Sequence, residues 1–174
     1  MSKKKPVAIF IVDDNALFSL ALKADIETVF EDMHPNIHLF ETGEKCMEHF
    51  KQHKPEVVIL DYNLNSKVPH AANGLEILDM IKKARPDTNV IMLSSEDSIP
   101  LAVKLLEHGA FDYIIKTETK FKKINYSLVN MFKTIDAKTY KLKYQQSMVG
   151  FIVCFVILTA MALSVLVYNF VSLS

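Results

Sequence analysis

Short apolar runs alternate with longer amphipathic stretches along the first two thirds of the chain. The runs occupy residues 7–12, 37–40, 57–60, 90–93 and 111–115. This alternation predicts an α/β domain in which helices cover a parallel sheet. The first, third and fourth runs are continuously apolar, as strands buried on both faces should be, so they are expected at the centre of the sheet. The second and fifth runs are more mixed and are expected to flank them.

Capping residues predict where the helices between these runs begin. Asn15, Thr42, Asn73 and Ser98 each precede an amphipathic stretch and can accept a hydrogen bond from its first turn. The fourth helix is expected to have Pro100 in its first turn and to end at Gly109. A fifth helix is expected from about Thr119, with no evident stop.

The fifth helix carries apolar residues at the three-and-four spacing of a heptad seam, interrupted by Lys138. They are Phe121, Ile124, Leu128, Met131, Ile135 and Leu142. The first half of this seam is expected to pack on the sheet. Beyond about residue 132 the helix either pairs with a second copy of the chain or spaces the domain from the C-terminal segment. Two heptads make a marginal coiled coil, which favours the spacer and leaves a homodimer open.

Charge is segregated along the chain although twenty basic side chains balance twenty acidic ones. The basic tail 1–5 carries +3, residues 6–119 carry −9, residues 120–143 carry +6, and residues 144–174 carry no charge. The neutral end contains an apolar stretch of 24 residues, 148–171. As a helix it would be ~36 Å long at ~1.5 Å per residue, enough to cross a bilayer core of ~30 Å.

This stretch is predicted to be a transmembrane helix; a buried core or oligomerisation helix is the alternative. The preceding segment, 133–147, is expected to be a helical juxtamembrane linker. Its lysines favour a cytoplasmic N-terminal domain by the positive-inside rule, and anionic lipid explains them better than nucleic acid. The chain is therefore expected to be a single-pass, C-terminally anchored membrane protein.

The cysteine and histidine content allows one metal alternative. Cys46 lies in the predicted soluble domain and Cys154 in the predicted membrane span, so no disulfide is expected. Cys46, His49 and His53 would share one helical face and could supply three metal ligands. This interpretation is not favoured, because no fourth ligand is evident and histidines are common on helix surfaces.

Polar residues follow four of the five apolar runs. Asp13 and Asp14 follow the first, Asp61 the third, Ser94 the fourth and Lys116 the fifth. The carboxyl ends of parallel strands form the ligand-binding edge of such sheets, so these side chains are expected to converge. Clustered carboxylates call for a hard cation, and Mg²⁺ is expected. A central carboxylate beside a metal and a lysine can attack a phosphoryl group. Each residue alone would be an ordinary cap or surface group; their joint occurrence is the specific signal.

Four motifs, IVDDN, VVILDYNL, IMLSSED and GAFDYIIKT, occur in this order. With them, residues 6–132 resemble the response-regulator receiver family of two-component signalling. The resemblance implies a flavodoxin-like (βα)5 domain with strand order 2-1-3-4-5. It also implies a role for each matching residue: Asp61 as phosphoacceptor, Asp14 as direct metal ligand, Asp13 as ligand mainly through water, Asn63 as carbonyl ligand, Ser94 as switch hydroxyl, Tyr113 as aromatic rotamer switch and Lys116 as phosphate-binding lysine.

The function implied is a binding switch rather than an enzyme. A histidine kinase or phosphotransfer protein would phosphorylate Asp61, and a protein-binding face would be remodelled. Polar Asn63 and Glu96 imply a short-lived phosphoform. Alternatives are a phosphorylation-independent adaptor and a haloacid-dehalogenase-type phosphohydrolase; the latter family has Asp where this chain has Asn63.

Two departures from the family pattern stand out: Thr117 replaces the usual proline after Lys116, and the loop 62–73 is longer than usual.

Overall fold

Five parallel strands form one sheet in a computed structural model that describes residues 6–64 and 72–172. Side chains are described at the same positions except 136, 138–143, 146–147, 159–160 and 162–172. The strands are β1 (Ala8–Val12), β2 (Asn36–Phe40), β3 (Val57–Asp61), β4 (Asn89–Ser94) and β5 (Asp112–Ile115). Their order in the sheet is β2-β1-β3-β4-β5, as expected.

Each predicted cap begins a helix. The side chains of Asn15, Thr42, Asn73 and Ser98 accept hydrogen bonds from backbone amides in the first turns of the helices that follow them. The helices are α1 (Ala16–Val29), α2 (Gly43–His53), α3 (Gly74–Ala84), α4 (Ile99–Glu107) and α5 (Lys120–Ser172), and a short 3₁₀ turn spans Glu31–Met33.

The central strands are buried on both faces. Phe10 and Val12 of β1 belong to a core cluster with residues of α2, α3 and α4, while Ile9 and Ile11, which alternate with them, are also fully buried. Because successive side chains of a strand point to opposite faces, this burial requires cover on both sides. On α5, Ile124 and Leu128 are fully buried, which confirms that the first half of the heptad seam packs inward.

The chain divides into two compact units, Met1–Val129 and Asn130–Ser174. In the second unit, many apolar side chains between Met148 and Met161 are exposed. None of the helices, as far as the structure describes them, is long and apolar enough to cross a membrane. The predicted span 148–171 includes 159–160 and 162–171, whose side chains lie outside the described residues. The basic tail 1–5 and most of the long loop, 65–71, also lie outside them.

The burial of Cys46 can be measured by thiol labelling. Its side chain on α2 is fully buried, and burial raises the pKa of Cys46 to about 12. In a Cys154→Ser background, we expect iodoacetamide at pH 8 to leave the folded protein unlabelled and to label it in denaturant, because the thiolate is the nucleophile. The unfolded thiol ionises near pH ~8.5 while the folded thiol keeps its proton, so stability should fall as pH rises above that value. Rapid labelling without denaturant would contradict this burial.

Candidate functional site

Three carboxylates converge at the carboxyl edge of the sheet. Asp13 and Asp14 follow β1, and Asp61 is the last residue of β3. One oxygen from each of the three lies within 4.8 Å of the others. Asp13 and Asp61 are 1% and 4% exposed, whereas Asp14 is partly exposed. Buried carboxylates this close together repel one another, and an all-oxygen donor set fits a hard divalent cation such as Mg²⁺.

Lys116, which follows β5, provides the positive charge of this cluster. Its Nζ lies 2.7 Å from Asp13 Oδ2 and 2.7 Å from Asp61 Oδ2. Burial by itself would lower the pKa of Lys116, but the bonds to the two carboxylates outweigh it and raise this pKa above its ordinary value. Lys116 therefore stays charged and ties the ends of β1, β3 and β5 together.

Burial and hydrogen bonds act in opposite directions on Asp13. Burial raises the pKa of Asp13 above its ordinary value, although Lys116 and the amide of Asn15 both stabilise the carboxylate. A residue whose ionised form is this poorly solvated gains from a bound cation, because the cation replaces lost hydration. The residues present thus fit a magnesium ion held by Asp13, Asp14 and Asp61.

The two predicted switch residues hold the same backbone segment. Ser94, at the end of β4, is fully buried, and its Oγ accepts a hydrogen bond from the amide of Glu96 at 3.0 Å. The hydroxyl of Tyr113 on β5 donates to the carbonyl of Glu96 at 2.5 Å. The loop between β4 and α4 is therefore connected to both side chains through one residue.

The structure also bears on the remaining expected features of the site. The amide of Asn63 donates to Asp61 Oδ1 at 3.3 Å, and the metal-binding role of its carbonyl stays a prediction. No cis peptide bond occurs within 6–64 or 72–172, so the bond after Lys116 is trans. Of the long loop, only residues 62–64 and 72–73 are described, and the amide of Ala72 donates to Glu44 on α2 at 2.9 Å.

Two residues border the site that sequence reasoning missed. The ring of Phe18, in the first turn of α1, lies 5.1 Å from Lys116 Nζ. Gly74, the first residue of α3, lies so close to the end of β3 that an added Cβ would be 2.6 Å from the carbonyl oxygen of Asp61. In the sequence, Phe18 has the pattern of an ordinary apolar helix residue, and Gly74 that of a residue at the start of a helix. Their closeness to the site follows only from the three-dimensional fold.

Comparisons with known proteins agree with this architecture. The family model of the response regulator receiver domain matches residues 9–125. The luminescence regulatory protein LuxO of Vibrio campbellii is 30% identical over 81 residues, which cover 47% of this chain and 17% of LuxO. Protein-glutamate methylesterase/protein-glutamine glutaminase 2 of Pseudomonas aeruginosa is 34% identical over 116 residues, which cover 64% of this chain and 30% of that protein. The chain spans less than half the length of these relatives.

A solved structure supports the fold. The signal receiver domain of a putative LuxO repressor protein from Vibrio parahaemolyticus superposes with a TM-score of 0.66, covering 77% of this chain and 95% of that one at 24% identity. Such a likeness bears on the fold alone. The family match extends over most of the chain, and the strand order and acidic edge agree with it. The chain therefore belongs to the response regulator receiver domain family.

Proposed function

We propose that the chain is a membrane-tethered response regulator that accepts a phosphoryl group on Asp61 from a histidine kinase or a phosphotransfer protein. The observation that carries this proposal is the meeting of Asp13, Asp61 and Lys116 in one buried, charge-paired cluster, with Ser94 at the end of the next strand. Receiver domains generally bind Mg²⁺ at such an acidic pocket. They mostly act in signalling without an enzymatic activity of their own.

In the proposed reaction an Asp61 oxygen attacks the phosphorus of a phosphohistidine. A phosphorus–oxygen bond forms, the phosphorus–nitrogen bond breaks, and its electron pair stays on the imidazole. The magnesium ion, when bound, supplies positive charge near the transferred oxygens. Lys116 contacts Asp61 already and supplies a second cation there. Burial of Asp61 keeps these interactions strong, because water screens them little.

The proposed output is a change in the loop between β4 and α4. Phosphorylation brings new acceptor oxygens to Asp61, and the Ser94 hydroxyl can donate to them. If the Ser94 hydroxyl turns toward the phosphoryl group, its hydrogen bond from the amide of Glu96 breaks. The Tyr113 hydroxyl, which donates to the Glu96 carbonyl, would then move with the loop. This is a two-state element biased by a local electrostatic event.

The direct test is incubation of the full chain, in mild detergent, with acetyl phosphate, with and without Mg²⁺, read by intact mass. We expect a metal-dependent gain of one phosphoryl group. No gain under either condition, with the chain folded, would favour the phosphorylation-independent adaptor. Steady hydrolysis of p-nitrophenyl phosphate would favour the phosphohydrolase.

The methylesterase activity in a relative's name is that protein's own, and the expectation that this chain is not an enzyme stays a prediction.

Replacing Lys116 should affect metal binding and phosphorylation in opposite directions. In Lys116→Met, Asp13 and Asp61 lose their bound ammonium, so we expect Mg²⁺ to bind about tenfold more tightly, equivalent to ~1.4 kcal/mol. Phosphoryl acceptance should become slower, because one cation near the transferred oxygens is gone. Calorimetry and intact mass measure the two effects, with the exposed Lys83→Met as control. Weaker Mg²⁺ binding in Lys116→Met would show that the lysine organises the metal site instead.

The tether is supported by the C-terminal part of α5. Phe151, Phe155 and Leu158 are 71%, 68% and 65% exposed, and no charged residue occurs from 144 to 174. Exposed apolar surface of this extent requires a non-aqueous or protein environment. A lipid bilayer is the proposed environment, with the receiver domain on the cytoplasmic side.

Ending the chain after Ser147 should release it from membranes. We expect the full chain to stay with the membrane fraction after alkaline carbonate washing and the shortened chain to appear in the supernatant. The shortened chain should still bind Mg²⁺, because every site residue precedes it. A full chain that leaves the membrane on washing but forms a dimer in solution would instead assign α5 to self-association.

A further inference from the structure

Three histidines outside the acidic site gather at one edge of the sheet. This histidine cluster consists of His49 and His53, one turn apart on α2, and His38 on the edge strand β2. Ring centroids of His38 and His53 are 4.4 Å apart, and those of His49 and His53 are 6.2 Å apart. Two imidazoles bound to one zinc ion at ~2.0–2.1 Å have centroids about 5 Å apart, so the first of these two spacings is shorter and the second longer than in a bound site.

One ring nitrogen of His38 and one of His49 can present a lone pair to a metal ion. Nε2 of His38 is buried and has no hydrogen-bond partner among the described residues. Nδ1 of His49 lies 3.0 Å from the carbonyl oxygen of Lys45, which can only accept, so Nδ1 carries the proton and Nε2 the lone pair. Donation of the second ring nitrogen to a backbone carbonyl is the usual arrangement of metal-binding histidines.

Electrostatics keep His38 in its neutral, metal-binding form. Burial lowers the pKa of His38, and the neighbouring His53, His49 and Lys23 lower it further, so its imidazole stays neutral. Cys46 does not take part, although its spacing from His49 and His53 pointed to it: it is fully buried in the core and remains a thiol. The strand residue His38, which helical spacing could not reveal, takes its place.

We propose that His38, His49 and His53 form a second metal site, selective for a borderline-soft divalent transition-metal ion, Zn²⁺ foremost. Imidazole suits such ions, whereas the carboxylate cluster suits Mg²⁺. The histidine nitrogens do not yet converge within 4.8 Å as the three carboxylates do, so binding requires the rings to turn toward one another. His49 is exposed and can do so. A bound ion would connect α2 to β2.

The test is a calorimetric titration of the full chain with Zn²⁺ in the presence of excess Mg²⁺, which occupies the acidic site. We expect one zinc ion per chain, and at least tenfold weaker binding in His53→Gln and His38→Gln. His34→Asn is the matched control: it removes a histidine outside the cluster, and asparagine tolerates the left-handed backbone at this position, φ 45°.

Several results would overturn the site. They are absence of Zn²⁺ binding by the unaltered chain, unchanged affinity in His53→Gln, and an equal loss in His34→Asn. Unchanged Mg²⁺ affinity of each variant shows that it is folded. If His38→Gln loses Mg²⁺ binding as well, the decision rests on His49→Gln, because the His49 side chain is exposed. Unchanged Zn²⁺ affinity in His49→Gln overturns the proposal.

Discussion

Asp61→Asn will lose the Mg²⁺-dependent gain of one phosphoryl group completely. The amide is nearly isosteric with the carboxylate, so the hydrogen bond from the Asn63 amide can persist, but the nucleophilic oxygen and one negative charge are removed. The full chain, incubated with acetyl phosphate and Mg²⁺ and read by intact mass, should show the phosphorylated species and Asp61→Asn should not. Mg²⁺ should bind more weakly to the variant, because one of three carboxylates is gone.

Asp87→Asn is the matched control for this change. It neutralises an exposed carboxylate just before β4, at the opposite end of the sheet from the site. We expect it to accept the phosphoryl group as the unaltered chain does. Equal phosphorylation of Asp61→Asn and the unaltered chain would place the acceptor on another residue and end the proposed assignment. Loss in both variants would point to a general effect of charge or folding.

Much of the acidic edge could be predicted because each of its residues directly follows an apolar run. Once the runs are strands of a parallel sheet, Asp13, Asp61 and Lys116 must end at the same edge, whatever the loops do. The caps were equally local, since Asn73 and Ser98 bond amides only a few residues away. Sequence therefore suffices where a short-range rule and the strand order together determine the position.

Sequence reasoning missed the neighbours whose positions depend on packing between distant elements. His38 lies beside His53 because β2 pairs with β1 and α2 covers that face, and helical spacing instead pointed to Cys46. Phe18 meets Lys116 across α1 and β5, nearly a hundred positions apart in sequence. Such neighbours result from the closed three-dimensional arrangement, which a one-dimensional pattern does not contain.

Gly74→Ala will be destabilising although alanine is the better helix former. A Cβ at Gly74 would lie 2.6 Å from the Asp61 carbonyl oxygen and 2.6 Å from Tyr62 Cα, both backbone atoms that cannot rotate away. Alanine gains roughly 0.5–1 kcal/mol over glycine inside a helix. Overpacking costs typically ~1–3 kcal/mol, and more against rigid backbone, so the clash prevails. Urea denaturation should show a net loss of about 1–2 kcal/mol, the overpacking cost less the helix-propensity gain.

Gly150→Ala separates the clash from helix propensity. Gly150 also lies in a helix, α5, but a Cβ there meets nothing within 4 Å, so this variant should be neutral or slightly more stable. Because the Gly74 clash falls on the peptide of the phosphoacceptor, Gly74→Ala should also weaken Mg²⁺ binding, and Gly150→Ala should not. Equal stability of the two variants would mean that α3 can move away from β3 at little cost, and the close approach at the site would then not be a structural requirement.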